Sequence, residues 1–143
     1  MRHLAHDFVY YSLVWFAHHN KLRTNVKISC PLCEAWPESV DHLFVCCAVA
    51  SQVWVCISAW LRIPPFLGFT AIDVLESPWV LDGGKDKRKW IQAVILATFW
   101  SIWKARNEKV FRGKRQSVDQ IVAYAKEWVE FWVKHRSAQV ECG

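Results

Sequence analysis

Apolar positions in this chain recur mostly at helical spacing, and they predict a mainly α protein. Residues 8–18 are apolar at nearly every position, which indicates a helix that is hidden on most of its sides. Another helix is predicted to begin at Val40, because Ser39 can accept a hydrogen bond as its N-cap. Two prolines at 64–65 end that pattern, and the glycine- and proline-containing segment 66–86 predicts an irregular connection or a pair of short turns.

The second half of the chain predicts two helices that pack as an antiparallel hairpin. One covers residues 87–111, and Gly113 follows it as a C-terminal stop. Ser117 and Gln120 have the spacing of a capping box for the next helix. The apolar face of that helix consists of Val118, Ile121, Val122, Ala125, Trp128, Val129 and Trp132. No alternating pattern of useful length predicts a strand.

The candidate chemistry lies in the pattern Cys-x2-Cys-x8-His-x4-Cys, formed by Cys30, Cys33, His42 and Cys47. Three thiolates and one imidazole satisfy the tetrahedral coordination of Zn²⁺, and they leave no obvious open position for a substrate. The pattern therefore predicts a closed, structural zinc knuckle near the N-terminal third of the chain. Buried cysteines without a metal are the simpler alternative, and a thioredoxin-like dithiol would need a strand before Cys30 that is not evident.

The identity of the fourth ligand depends on helix geometry. On an unbroken helix, His42 and Cys46 lie four residues apart on one face, whereas Cys47 points well away from His42. Cys47 qualifies only if the helix breaks after about one turn, pauses near Cys46 and Cys47, and continues through Trp60. Cys47 is the first choice and Cys46 is the alternative.

Composition indicates one domain that spans residues 1–143. The chain has ten Trp, and 53% of its residues are hydrophobic, which is enough apolar surface for a folded core and argues against disorder. Ten Trp also suggest surfaces that a larger neighbour covers. Six Cys without a convincing signal peptide predict an intracellular protein with reduced thiols, in the nucleus or the cytoplasm.

One stretch admits a membrane interpretation. Residues 43–61 include no charged side chain over nineteen positions, which is the length at which a membrane span becomes a candidate. Ser51, Gln52 and Ser58 argue against a span, because polar groups in an isolated transmembrane helix are costly. A buried helix is the favoured interpretation.

Positive charge is concentrated in one segment. Residues 85–115 carry ten basic and two acidic side chains, a net charge of +8, whereas the rest of the chain carries −3. Such a segment is typical of a surface that binds phosphates, although a solvated helix face is equally common. The candidate phosphate-binding residues are Lys104, Arg106, Lys109, Arg112, Lys114 and Arg115. RNA or single-stranded DNA is the expected partner.

Several of these motifs together resemble one known family. Cys30-Pro31-Leu32-Cys33, the run Glu38-Ser39-Val40-Asp41-His42-Leu43-Phe44, Cys47 and Gln52-Val53-Trp54 resemble the zinc-binding domain that follows the reverse transcriptase in plant LINE-type (non-LTR) retrotransposons. Residues 15–17 and 20–24 are similar to the family's helix and connector before the first Cys, and residues 102–107 and 110–111 resemble its later helix. The likeness therefore covers residues 13–133. The resemblance implies zinc ligands at Cys30, Cys33, His42 and Cys47. In that family the last Cys commonly lies between His and Pro, but here its neighbours are Cys46 and Ala48.

The sequence predicts a module without catalytic activity. Polymerase and ribonuclease H chemistry needs clustered carboxylates that hold Mg²⁺, whereas the six Asp of this chain are scattered. The expected function is that of a zinc-binding helical module from a retrotransposon polyprotein, which contacts nucleic acid through the basic helix and has no small-molecule substrate. The alternatives are a protein-interaction fragment that docks on a missing reverse transcriptase domain and, less favoured, a membrane-associated protein that uses residues 43–61.

Overall fold

The structure is a computed structural model that describes residues 29–66, 68–79 and 83–141, with side chains described as far as residue 135. Its helical segments are a π-helical turn at His42–Cys46, α1 at Ala48–Leu61, α2 at Ala71–Glu76, a 3₁₀ turn at Ser77–Trp79, α3 at Gly84–Arg112 and α4 at Val118–Glu141. Within these described ranges the only extended pairing is one bridge between Ser29 and Pro37. The mainly α fold is confirmed, and the predicted helix over residues 8–18 lies outside the described residues.

The ends of α3 and α4 follow the predicted capping signals. Gly113 ends α3 in the left-handed conformation with φ 66°, a region that costs glycine little because it has no Cβ. The amide of Ser117 donates to Gln120 Oε1 over 2.8 Å, and the amide of Gln120 donates to Ser117 Oγ over 3.2 Å. This reciprocal pair is the capping box that the sequence predicts, so both ends of the connector between α3 and α4 are fixed locally.

The prediction of an irregular connection over residues 66–86 is wrong in part, because α2 and the 3₁₀ turn form there. Thr70 Oγ1 accepts from the amide of Asp73, and Asp73 Oδ2 accepts from the amides of Thr70 and Phe69, each over 3.1 Å. These hydrogen bonds from the Phe69 amide and from Thr70 lower the pKa of Asp73. Thr-x-x-Asp is therefore a second capping box, which the glycine and proline content of the segment obscured.

The core is centred on α3, which packs against α1, α2 and α4. Lys104 lies beside Tyr124 and Trp100 lies beside Trp128, so positions advance in opposite directions and the two long helices are antiparallel. The predicted inner face of α4 is confirmed, since its buried residues are Ile121, Val122, Ala125 and Val129. Phe99, at the middle of α3, contacts the rings of Phe44 and Trp54 at centroid distances of 5.2 and 5.4 Å.

The apolar segment 43–61 is not one continuous helix. The π-helical turn occupies its first part, the backbone becomes extended at Cys47, and α1 then has 14 residues. Among the helices of the described ranges, none combines the length and the apolar character needed to cross a membrane.

Replacing Phe99 tests whether the core depends on this aromatic contact. Phe99 is 2% exposed, and we expect Phe99→Ala to lower the free energy of unfolding by about 3–5 kcal/mol because it leaves a cavity. Phe111→Ala is the matched control, because Phe111 lies on the same helix and is 76% exposed. Urea denaturation followed by circular dichroism measures both variants. Equal stability of the two would contradict this account of the core.

Candidate metal centre

A tight turn holds the first two cysteines. The amide of Cys30 donates to the carbonyl of Trp36 over 2.7 Å, and the amide of Glu34 donates to the carbonyl of Cys30 over 2.8 Å. Together with the Ser29–Pro37 bridge, these bonds fold residues 29–37 into a closed loop, which we name the knuckle loop. The second bond closes the Cys-x2-Cys turn, which brings Cys30 and Cys33 to one side of the loop.

The π-helical turn at His42–Cys46 and the interruption of the helix at Cys47 position the other two donors. The amide of His42 donates to Ser39 Oγ over 3.1 Å, which confirms the predicted N-cap. The amide of Cys47 donates to the carbonyl of His42 over 2.6 Å, which is a π-type bond across five residues. Cys47 then adopts φ −57° and ψ 139°, and α1 begins at Ala48. The predicted pause near Cys46 and Cys47 is therefore present without the family's proline.

The four donor atoms converge. Those of Cys30, Cys33, His42 and Cys47 all lie within 4.8 Å of one another. Cys30 Sγ is 3.9 Å from Cys47 Sγ, and Cys33 Sγ is 3.2 Å from His42 Nε2. Two thiolates at zinc bonding distance in tetrahedral geometry lie about 3.8 Å apart, so the cysteine pair already has the spacing of metal ligands. The group is compatible with a metal site.

Burial and hydrogen bonding distinguish the two buried thiols. The Cys30 thiol donates to Cys47 Sγ, and this bond, with help from the amides of Ala50 and Val49 at the start of α1, lowers the pKa of Cys47. The same bond, together with burial, raises the pKa of Cys30. Hydrogen bonding and the amino-terminal end of α1 therefore favour the thiolate form of Cys47 over that of Cys30.

Cys46, the alternative ligand, lies outside the cluster. Its side chain is exposed, and its Sγ donates to the carbonyl of Phe69 over 3.3 Å. The break at Cys47 causes this arrangement, because it turns Cys47 inward while Cys46 remains on the last part of the π-helical turn. Of the two adjacent cysteines, the structure brings only Cys47 to the other three donors.

A buried ion pair connects this region to α3. Arg106 Nε donates to Glu38 Oε1 over 2.8 Å, and Arg106 Nη2 donates to Glu38 Oε2 over 3.2 Å. The Glu38 side chain is 0% exposed, and the pair is bidentate, which fixes both distance and orientation. Sequence reasoning missed this role, because Glu38 lies 68 residues from Arg106 and stood out only as part of the motif run 38–44.

The structure also changes the picture of Lys104 and Arg106 as phosphate-binding residues. Lys104 Nζ donates to the Tyr124 hydroxyl over 2.6 Å, between α3 and α4. Arg106 is engaged with Glu38 and its side chain is 13% exposed. Both cations therefore have partners within the fold.

The remaining basic residues lie at the carboxyl end of α3 and in the connector that follows it. They are Lys109, Arg112, Lys114 and Arg115. Lys109 and Arg115 both contact Glu34 of the knuckle loop, at 3.6 and 3.0 Å. The knuckle loop and the basic end of α3 therefore adjoin, which the linear charge count did not reveal.

Glu38→Gln tests the connection between the knuckle and α3. The change removes the charge that faces the Arg106 guanidinium in a buried position, so we expect a loss of about 2–4 kcal/mol in the free energy of unfolding. Glu108→Gln is the control, since the pair of Glu108 with Arg112 at 3.6 Å is local to α3 and contributes about 0.5 kcal/mol or less. Chemical denaturation of both variants at neutral pH makes the comparison. A Glu38→Gln protein as stable as the control would refute a structural role for the pair.

Comparison with known proteins adds no relative to this picture. No protein-family model matches the chain, no curated protein is significantly similar to it, and no solved structure matches its fold. The resemblance to the reverse transcriptase zinc-binding domain therefore rests on the motif residues of this chain.

Proposed function

We propose that this chain is a non-catalytic zinc-binding helical module of the kind attached to retrotransposon reverse transcriptases. The observation that carries the proposal is the convergence of three sulfurs and one imidazole nitrogen within 4.8 Å. Zinc is the metal this donor set suits best, because it accepts thiolate and imidazole ligands and favours a tetrahedral arrangement. Residues Cys30, Cys33, His42 and Cys47 would hold it, and four protein ligands leave no position for a reacting water.

The role of the metal in this proposal is structural. It would join the Cys-x2-Cys turn, the π-helical turn and the start of α1, three segments that share little regular secondary structure. Such sites contribute directly to folding, because the ligands are scattered in the unfolded chain and come together only in the folded one. The Glu38–Arg106 pair would then transmit the position of the knuckle to the helical hairpin.

The biological role we propose is contact with RNA or single-stranded DNA beside a polymerase. The motif residues support the reverse transcriptase context, and the +8 segment supports an affinity for phosphates. Four basic residues of this segment lie in the first turns of α3, and four lie at its carboxyl end and in the connector. We place the affinity at the second group, because it adjoins the knuckle loop. Catalysis would reside in the adjoining polymerase.

Metal analysis with paired cysteine variants tests the zinc site. We expect one equivalent of zinc in the purified protein, retention of that zinc in Cys46→Ser and loss of it in Cys47→Ser, because only Cys47 faces the other donors. Elemental analysis and thermal melts with and without a chelator are the measurements. A wild-type protein without metal would sink the proposal, and zinc retention by Cys47→Ser would exclude this ligand set.

An oligonucleotide titration tests the proposed partner. We expect the zinc-loaded protein to bind single-stranded oligo(rU) RNA or oligo(dT) DNA at low ionic strength, with affinity falling as salt rises. The slope of log affinity against log salt should be about −0.7 for each phosphate neutralised. Fluorescence anisotropy at several salt concentrations measures it. Absence of binding at low ionic strength would contradict the nucleic-acid role and leave the zinc site intact.

A further inference from the structure

One acidic side chain occupies the centre of the exposed basic region. Glu34 Oε1 lies 3.0 Å from Arg115 Nη2 and 3.6 Å from Lys109 Nζ, and all three side chains are partly exposed. Two cations from different segments, α3 and the connector after it, thus converge on a single oxygen. Converging cations around one anionic oxygen are the arrangement that binds a phosphate, so Glu34 marks an anion site that the chain itself fills.

The backbone at Glu34 gives a second indication that the side chain is placed for its charge. Glu34 has φ 59°, in the left-handed region that favours glycine, and it directly follows Cys33 at the end of the Cys-x2-Cys turn. Glycine would satisfy this turn with less strain. A glutamate here accepts a conformational cost and puts a carboxylate against Lys109 and Arg115.

The same loop carries an exposed indole close to Glu34 in the sequence. Trp36 is two residues beyond Glu34 in the same knuckle loop and is 67% exposed, which is unusual for a side chain of this size. Its carbonyl accepts from the amide of Cys30, so the loop position of Trp36 is fixed by the metal-ligand turn. Arg112 follows Lys109 by three positions and shares its face of α3. An aromatic ring next to several cations is the combination that binds single strands, since bases stack on the ring and phosphates meet the cations.

We propose that Trp36, Lys109, Arg112 and Arg115 form a binding site for single-stranded nucleic acid, and that Glu34 acts as an internal competitor for the phosphate. This inference rests on the nucleic-acid role proposed above and specifies its site. A phosphate that enters displaces the Glu34 carboxylate from Lys109 and Arg115, while an unpaired base stacks on Trp36. A duplex offers no free base face to the indole, so its binding depends on the cations alone.

Substitutions at Glu34 and Trp36 give opposite expected results. Glu34→Gln keeps the shape of the side chain and removes its charge, so affinity for labelled oligo(dT) should rise about two- to fivefold, the change that corresponds to exposed ion pairs. Trp36→Ala should lower the affinity about five- to hundredfold, the change that corresponds to one stacked base. Trp36→Leu, which keeps apolar bulk without a ring suited to stacking, should weaken binding similarly.

Phe111→Ala is the matched control. Phe111 is an exposed aromatic residue at the same end of α3, but it follows Lys109 by two positions and is therefore rotated about 200° around the helix from it. Its removal should leave affinity unchanged. Zinc content and circular dichroism of each variant identify any loss of structure. Oligo(rU) compared with oligo(dT) distinguishes RNA from DNA, and a matching duplex distinguishes single from double strands.

The outcomes separate this site from the broader proposal. Stronger binding by Glu34→Gln, weaker binding by both Trp36 variants and wild-type affinity in Phe111→Ala support the site. If the wild type binds oligonucleotides but the Glu34 and Trp36 variants match it, this site is wrong and the nucleic-acid role stands. Equal losses in Phe111→Ala and Trp36→Ala also overturn the site. If the zinc-loaded wild type binds neither oligonucleotide, both the site and the nucleic-acid role are refuted.

Discussion

The interruption of the helix at Cys47 is the constraint on which the rest of the structure depends. A continuous α-helix through this point would carry Cys47 away from His42, and it would also redirect α1. The π-type bond from the Cys47 amide to the His42 carbonyl and the extended ψ of Cys47 together turn its sulfur toward Cys30. Cys47 is also the N-cap residue of α1. One local change of backbone direction therefore both completes the donor cluster and starts the next helix.

The knuckle is connected to the hairpin by charge as well as by apolar contact. Phe44 brings the π-helical turn onto Phe99 of α3, and Trp54 Nε1 donates to the Phe44 carbonyl over 2.6 Å. Glu38, next to the N-cap Ser39, binds Arg106 in a buried position, where loss of either partner would strongly destabilise the fold. Hydrophobic packing therefore brings the parts together, and the directional bonds determine how they are oriented.

The basic segment has two roles that its composition does not distinguish. Lys104 and Arg106 are used inside the fold, whereas the residues at the end of α3 and in the connector remain near the surface. A similar division applies to tryptophan, since Trp54 is buried in the core and Trp36 is exposed on the knuckle loop. Net charge and tryptophan content predict a general affinity for nucleic acid. The position of each side chain in the fold decides whether it is available for that contact.

The sequence by itself determined the helical class, the caps at Ser39, Gly113 and Ser117, and the four candidate donors, because helix periodicity, capping and ligand spacing are local properties. It did not determine α2, where turn-forming residues masked the Thr70 capping box. It left Cys46 and Cys47 as alternatives for the fourth ligand. The choice depends on an interruption of the helix, and no proline near Cys47 indicates one in the sequence. Only the tertiary structure decided that choice. It also paired Glu38 with Arg106, and Glu34 with Lys109 and Arg115. These contacts join residues that are far apart in the chain, and packing determines how closely such residues approach.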